Sequence, residues 1–593
     1  MTPVLDSVIT CVVIFFAPAL AFRPRLLNSP WTLLCVPICS ICLLAVSIMP
    51  AIELNLLGHE AARACLFSTA LVGLGRAVLY LSNPDTDHSS WSGDSLYALL
   101  IALGFTIFFV GRLSLFGFDD NDEIYSWNKW AIDFYLGKDV TFQFTKWAYP
   151  LLFPRLLSLE YILNGSLEAQ TAVKTALAIF PLCAMGAIAL GSPSQITSRA
   201  GLTAFLITLI VFGAGAKSSF EHGMPDAMAA TGVVISALIL FERDRLKISA
   251  FGRYLLVAVL SSVAVLTKQP SLVWALSVLP ILVAFPSLMD APRSKERFIL
   301  LIPALVAVTW WLTEGSGFHL NEGPVKRSME ERDLFQQGLN AARLLLTDYI
   351  EVSVVLGWML FAVLRNGRAL SLTVLFILPS LAFWLMFANY DLRAGLPMLL
   401  ISGLLISLND FGCRKPETNS QPMVSHKSRK FPAIICLALI GGATVQVALD
   451  VRKTVKRYSD YEYGDVAINN YLRIFDADAA IVREHIRDNE NAVLWTPTNY
   501  VYGLLYGYRD VHFPGYKLGW NKGSLVAELK DTQATHATTS GRLAYGPGGI
   551  ILESILSDPC GGAFQKLSKY ENSYNIMVYS INGKILNSAA CDY

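Results

Sequence analysis

Four acids stand close together at Asp119, Asp120, Asp122 and Glu123, directly behind an apolar run from Leu96 to Phe116. A carboxylate inside hydrocarbon costs roughly 2.5–3.5 kcal/mol on the insertion scale. The acids must therefore emerge at the bilayer surface, at the mouth of a membrane helix. A membrane enzyme with a lipid-borne substrate needs its general base at such a mouth. Asp122 is the first candidate for a base that deprotonates an acceptor hydroxyl, with Asp120 as its substitute and Glu123 beside them. General-base catalysis of this kind is worth roughly 10²–10⁴ in rate. A second role is structural. A helix starting near Asn121 can be capped by Asp120, with Glu123 three residues later closing a capping box. One cap does not use Asp119 or Asp122.

Three more constellations have the same character. Glu221-His222-Gly-Met-Pro-Asp226 opens an apolar helix. There Asp226 and His222 can contact substrate, Asp226 can orient a lysine, and Glu221, His222 and Asp226 have the residue types to ligate a divalent metal. They also suit a plain helix start, with proline in the first turn and an acid near the positive end of the dipole. Leu266-Thr-Lys268-Gln-Pro270 is a turn between two apolar runs with a lone cation, which invites a phosphate or carboxylate partner or else snorkels to the interface. Tyr390-Asp391-Leu-Arg393 offers a second cation, open to a phosphate oxygen or to pairing with Asp391. Lys146 and Arg155 are weaker versions of the same idea. Trp127, Trp130 and Tyr149 can stack on a sugar or prenyl chain, or serve in an interfacial aromatic belt.

The elements that position these groups are membrane helices. The chain has 593 residues, 54% hydrophobic and 16% charged, with a mean hydropathy of +0.47. A soluble chain carries about 25% charged residues. Apolar runs long enough to span recur along most of the length, so the protein is mainly α, a polytopic helical bundle. The net charge of +1 is uninformative, because the charge is segregated by loop, and no basic tail or aromatic-basic interleaving suggests nucleic acid. Placing the short basic loops (22–30, 241–253, 290–297, 364–369 and 410–430) inside gives nearly consistent alternation. About 14 spans result: 5–22, 31–50, 62–82, 95–116, 171–191, 200–216, 225–241, 253–267, 270–287, 298–313, 350–365, 370–388, 394–409 and 431–449. Trp147–Leu163 is apolar enough to span, but doing so would turn every later basic loop outward. It reads as a helix lying in the interface. The acids, the cations and the aromatics then share the outer face.

Residues 450–593 are polar and fall outside the membrane. Val493–Trp495 reads as a strand, Tyr500–Tyr508 as a short helix, and Phe564–Tyr570 with Ile576–Ile581 as a strand pair, giving a small α/β domain. Cys560 and Cys591 can pair there if the domain is extracytoplasmic. Cys39-Ser-Ile-Cys42 has metal-ligand spacing, but it lies inside an apolar helix with no second pair and reads as packing.

Five short segments, in this order, resemble the GT-C superfamily of membrane glycosyltransferases. The likeness is to the group of bacterial aminoarabinose transferases, protein O-mannosyltransferases and rhizobial galacturonosyltransferase-like proteins. DEIY (Asp122 to Tyr125) is similar to the Asp-Glu motif of that group's first external loop. YPLLFPRLL (Tyr149 to Leu157) resembles its interface helix, with Tyr149-Pro150 where the group has Pro-Pro. GMPDAMAA (Gly223 to Ala230) resembles its Gly-x-x-Asp helix start, and LTKQP (Leu266 to Pro270) its Leu-Thr-Lys element. Arg393, before Leu396-Pro397, resembles the arginine ahead of its late helix. The resemblance covers roughly residues 95–410. It implies three parts: extra N-terminal transmembrane helices (1–94), a catalytic module (95–449) with the external loop 117–170, and a periplasmic soluble domain (450–593). It also implies a polyprenyl-phosphate sugar donor, a glycan, lipid or protein acceptor, and an inner-membrane location. In that scheme Asp122 is the base, Lys268 and Arg393 meet the donor phosphate with Lys146 as a further cation, and Asp226, His222 and Tyr149 contact substrate. Two other classes stay open. A lipid-linked-sugar flippase would place its charges at the midplane of spans. A polysaccharide polymerase or ligase would lean on a basic outer loop such as Thr313–Tyr349, which holds His319, Lys326, Arg327, Arg332 and Arg343.

Overall fold

The structure is a computed structural model. It describes residues 3–83, 123–138, 149–167, 169–191, 222–241, 248–289, 294–313, 367–384, 392–408, 489–497, 521–540, 547–567 and 576–593. Shorter pieces are described between these, among them most of 95–106, Phe118, Val140, 219–220, 485–486 and 510–512. The fold is mostly helical, with a small C-terminal sheet. Among the described residues five helices are long and apolar enough to cross a membrane: Leu5–Phe22, Pro30–Glu53, His59–Leu81, Gln170–Leu190 and Lys295–Thr313. Five shorter apolar helices follow the expected positions, at Pro225–Leu240, Ala250–Val265, Gln269–Ala284, Leu370–Ala382 and Leu396–Leu405. The spans expected at 200–216, 350–365 and 431–449, and the helix at Tyr500–Tyr508, lie outside the described residues. Leu71, Leu79, Leu305 and Leu312 are exposed on the helices that carry them, as side chains facing lipid would be.

Small residues let the central helices approach. Pro225–Phe241 packs against Ala250–Val265, Leu396–Leu408 and Ile179–Leu190. At Gly232 a Cβ would stand 2.8 Å from the Leu260 carbonyl oxygen, so only glycine permits this crossing. Ser261 links the same layer, accepting from Trp274 Nε1 at 3.0 Å and lying 3.2 Å from Ser236 Oγ. The helix expected from 253 begins three residues earlier, because Ser249 caps it by accepting from the Gly252 N–H at 3.1 Å.

Several helices contain a wide π-turn, and three of these share a cause. The turns Cys11–Phe16, Trp274–Val278 and Thr373–Ile377 each run into a proline: Pro18, Pro280 and Pro379. A proline has no N–H to close the four-residue ladder, and the hydrogen bonds slip by one. A fourth, Glu123–Asn128, has no proline in or after it before Tyr135. Its shape has to come from what its side chains touch.

The expectation for Trp147–Leu163 changes. A helix forms over Leu152–Asn164, and eleven of its thirteen residues are buried. It packs against Lys129–Tyr135, His59–Leu81 and the N-terminal helix. Its apolar sequence serves packing inside the protein. Glu160 is buried on this helix, and burial pushes its carboxyl well above the usual carboxylate range.

In the C-terminal part five strands among the described residues form one mixed sheet: β1 (Val493–Trp495), β2 (Asp510–His512), β3 (His536–Ser540), β4 (Phe564–Lys566) and β5 (Ile576–Ile581). Their order is β2-β1-β3-β5-β4. β1 lies parallel to β2 and β3; β5 is antiparallel to β3 and β4. Alternate residues take opposite faces. Trp495, Ala537 and Tyr579 pack with the helices Lys522–Asp531 and Pro547–Leu556. Leu494 and Val578, on the other face, join the large apolar cluster that also contains the bundle's core residues.

Cys560 and Cys591 form a disulfide, with Cα atoms 4.9 Å apart and a sequence separation of 31. A loop of that length should contribute about 3–4 kcal/mol by restricting the unfolded chain. Cys591→Ser is expected to lower the stability of the C-terminal part by that amount in urea titration of the full chain. A midpoint equal to that of the parent would show the bridge to be energetically idle.

Candidate active site

The site is assembled from three segments that are distant in the sequence, joined by Tyr149 and Lys174 from two others. The first is the π-turn Glu123–Asn128 with the helix that continues it, Lys129–Tyr135. Glu123 is fully buried. Its Oε2 accepts from Lys174 Nζ at 3.0 Å, and Lys174 is fully buried too, one turn inside the Gln170–Leu190 helix. Its Oε1 accepts from the Gly223 backbone N–H and lies 3.9 Å from His222 Nδ1. A Cβ at Gly223 would meet the ring of Phe118 at 2.7 Å, so glycine is what lets this backbone reach the carboxylate. These contacts, together with Tyr161 Oη donating to Asn128 Oδ1 at 2.6 Å, account for the proline-free π-turn.

The second segment is the start of the Asp226 helix, and the third is the 266–270 turn. Lys268 Nζ lies 3.6 Å from Asp226 Oδ2. It also sits over two rings, 4.7 Å from the centroid of Trp127 and 5.4 Å from that of Tyr149. Both rings attract the cation through their faces. Trp127 in turn packs edge-on against Trp130 at 4.9 Å, Tyr149 at 5.4 Å and Phe153 at 6.1 Å. The Leu152 N–H donates to the Leu266 carbonyl at 3.3 Å, which ties the start of the 152–164 helix to the Lys268 turn.

The two halves close on each other. Glu123 touches Gly223, three residues before Asp226; Asp226 faces Lys268; Lys268 covers Trp127, one turn after Glu123. The Asp226 side chain is 4% exposed, whereas that of Lys268 is 19% exposed. The acid is buried and the ammonium is reachable. A 3.6 Å approach exceeds a hydrogen bond, so the pair is held by charge, and the ammonium's donors remain suited to an anion. Next door, Lys129 and Asp133 form a buried pair at 2.6 Å, and burial pulls the Lys129 ammonium below its usual value while Asp133 opposes that shift.

Of the candidates read from sequence, Glu123, His222, Asp226, Lys268 and Tyr149 meet in this one cluster. Arg393 Nη1 contacts Met224 Sδ, which brings the arginine to the same 222–226 segment. Asp120, Asp122, Lys146 and Glu221 lie outside the described residues. Among the described residues no group of three or more His, Cys, Asp or Glu side chains could hold a metal ion. Lys174 was missed. A single lysine in an apolar run passes for a snorkelling end, yet an ionisable residue inside a span is itself a sign of a partner or a function.

No family model matches this chain, and no curated protein matches it. Among solved structures it is similar to the crystal structure of ArnT from Cupriavidus metallidurans in the apo state. That likeness covers 83% of this chain and 98% of that one, at 13% identity and a TM-score of 0.49. So low a score leaves the reading of the site to the residues themselves.

Proposed function

We propose that this chain is a multi-pass membrane glycosyltransferase of the GT-C kind, moving a sugar from a polyprenyl-phosphate donor to an extracytoplasmic glycan, lipid or protein hydroxyl. The observation that carries this reading is Lys268: a reachable ammonium, positioned by a buried acid and seated on two aromatic rings. A lipid phosphate leaving from the anomeric carbon needs a cation of this kind, fixed before the reaction. Asp122, next in sequence to Glu123, takes the proton of the acceptor hydroxyl. The hydroxyl oxygen attacks the anomeric carbon from the face opposite the phosphate. The bond to the phosphate oxygen breaks, the configuration inverts, and the lipid phosphate leaves with its charge met by Lys268 and Arg393, with Lys146 as a further cation. Glu123, anchored to Lys174 and to the Gly223 N–H, is a positioning residue for the segment that carries Asp122. Asp226 orients Lys268. His222 and Tyr149 border the sugar.

The chemistry sits on the outer face of an inner-membrane protein in this reading. The Cys560–Cys591 disulfide supports an extracytoplasmic C-terminal domain, because such bonds persist in oxidising compartments. The test is Asp122→Asn in the host, followed by mass analysis of the surface glycan. Loss of one monosaccharide, with a transfer rate lowered by roughly 10²–10⁴, is expected. Shortened glycan chains would point to a polymerase instead, and an unchanged glycan would overturn the assignment of the base.

A further inference from the structure

A cavity of about 600 Å³ lies at the C-terminal end of the Lys129–Tyr135 helix, lined by residues other than those of the Lys268 cluster. That size lies within the range of small-molecule sites. One wall comes from the N-terminal helices, through Glu53, Asn55 and His59; the other comes from Phe134, Tyr135 and Arg155. Arg155 Nε pairs with Glu53 Oε1 at 2.5 Å, and both side chains remain about one-third exposed. The Arg155 guanidinium stands over Phe134 at 5.3 Å. The His59 and Tyr135 rings pack at 4.8 Å. Asn55 holds a positive φ of 55°, which turns the chain around the cavity's edge.

We propose that this cavity binds a saccharide unit of the acceptor; the identification of the ligand as acceptor rests on the transferase reading. A sugar hydroxyl both donates and accepts hydrogen bonds, so it suits a wall where a carboxylate and a guanidinium stand side by side with an amide. Its ring presents apolar C–H faces, which suit the flat surfaces of His59, Tyr135 and Phe134. A simple anion site would not set a carboxylate against its arginine, and an apolar ligand would not be met by three polar planes. The place also fits. Trp127 and Phe134 stand on one continuous helical run, and seven residues at about 1.5 Å each put the cavity about 10 Å from the Lys268 cluster. An extended glycan held here by an inner sugar presents its end toward the acid-bearing segment. Arg155 lies one turn beyond Leu152, which is bonded to the Lys268 turn, so both sites share one rigid element.

The test is saturation-transfer NMR on the full chain in nanodiscs, with glucose, N-acetylglucosamine and galacturonate as probes at millimolar concentration. The parent protein is expected to transfer saturation to one or more of them. Glu53→Gln, which keeps the shape of the wall, should weaken that probe's binding roughly tenfold or more, the loss expected for a hydrogen bond to a charged group. His59→Ala, on a different part of the same wall, should weaken it as well. Lys268→Ala should leave it unchanged. No transfer from the parent, equal signals in the parent and both wall variants, or loss of signal with Lys268→Ala would each overturn the proposal. Because binding is read without turnover, a chain that binds the probe through Glu53 yet leaves the host glycan untouched would sink the transferase reading and keep the saccharide site.

Discussion

Lys268→Ala is expected to lower sugar transfer by roughly 10²–10³, the loss seen when one preorganised charge-stabilising donor is removed, equal to about 2.7–4 kcal/mol. The effect should fall on the chemical step, since the ammonium is needed most when the phosphate gains charge on leaving. The fold should tolerate the change. The Lys268 side chain is partly exposed, and Asp226 keeps its place at a helix start, where an acid is favourable. Lys268→Arg should recover only part of the rate, because a planar guanidinium cannot occupy the same point over Trp127 and Tyr149. Single-turnover transfer from a radiolabelled lipid donor, alongside thermal melting, separates the two effects. A variant that melts normally and transfers at the parent rate would remove Lys268 from the leaving-group site.

The second large effect concerns stability. Lys174→Met should destabilise the bundle by about 3–5 kcal/mol, because it leaves Glu123 fully buried without its counter-charge. Glu123→Gln alone should also cost stability, since it removes the charged carboxylate paired with the buried Lys174. The double variant should recover most of the loss, because removing both charges together spares the desolvation that each one requires. Melting temperatures of the four proteins in one detergent form a double-mutant cycle, and a coupling near zero would contradict the pair. The recovered double variant should still transfer slowly, because Gly223 and His222 lose the carboxylate that anchors them beside Asp226.

The legible and illegible parts of this protein divide along a physical line. The apolar helices were readable because each must be apolar along its whole length, whatever it packs against. The cluster was readable in pieces, since a cation or an acid at a helix mouth needs a reason, and five candidates from four separate motifs meet. What sequence could not supply was pairing. Glu123 had two sensible roles at its own helix start, and the role it takes depends on a lysine 51 residues away. Strands β2 and β3 escaped for a related reason. DVH and HATTS show no apolar alternation, and they become strands through pairing, DVH parallel with β1 and HATTS between β1 and the antiparallel β5. The Lys522–Asp531 helix carried a usable local sign, the Asn521 and Ser524 capping box, which was overlooked. The 152–164 helix shows the opposite hazard, because apolar sequence does not say whether lipid or protein will cover it.

The Glu123 carboxylate also sets a schedule. Its lysine partner is 51 residues downstream and its backbone donor 100 residues downstream. A ribosome adding roughly 5–20 residues each second delivers them seconds apart. During synthesis the acid therefore waits at the water boundary, and neither helix can settle to its final depth until its counterpart has been threaded. Biogenesis of this protein must keep its early helices loosely held beside the insertion machinery until the fifth and seventh expected spans have arrived.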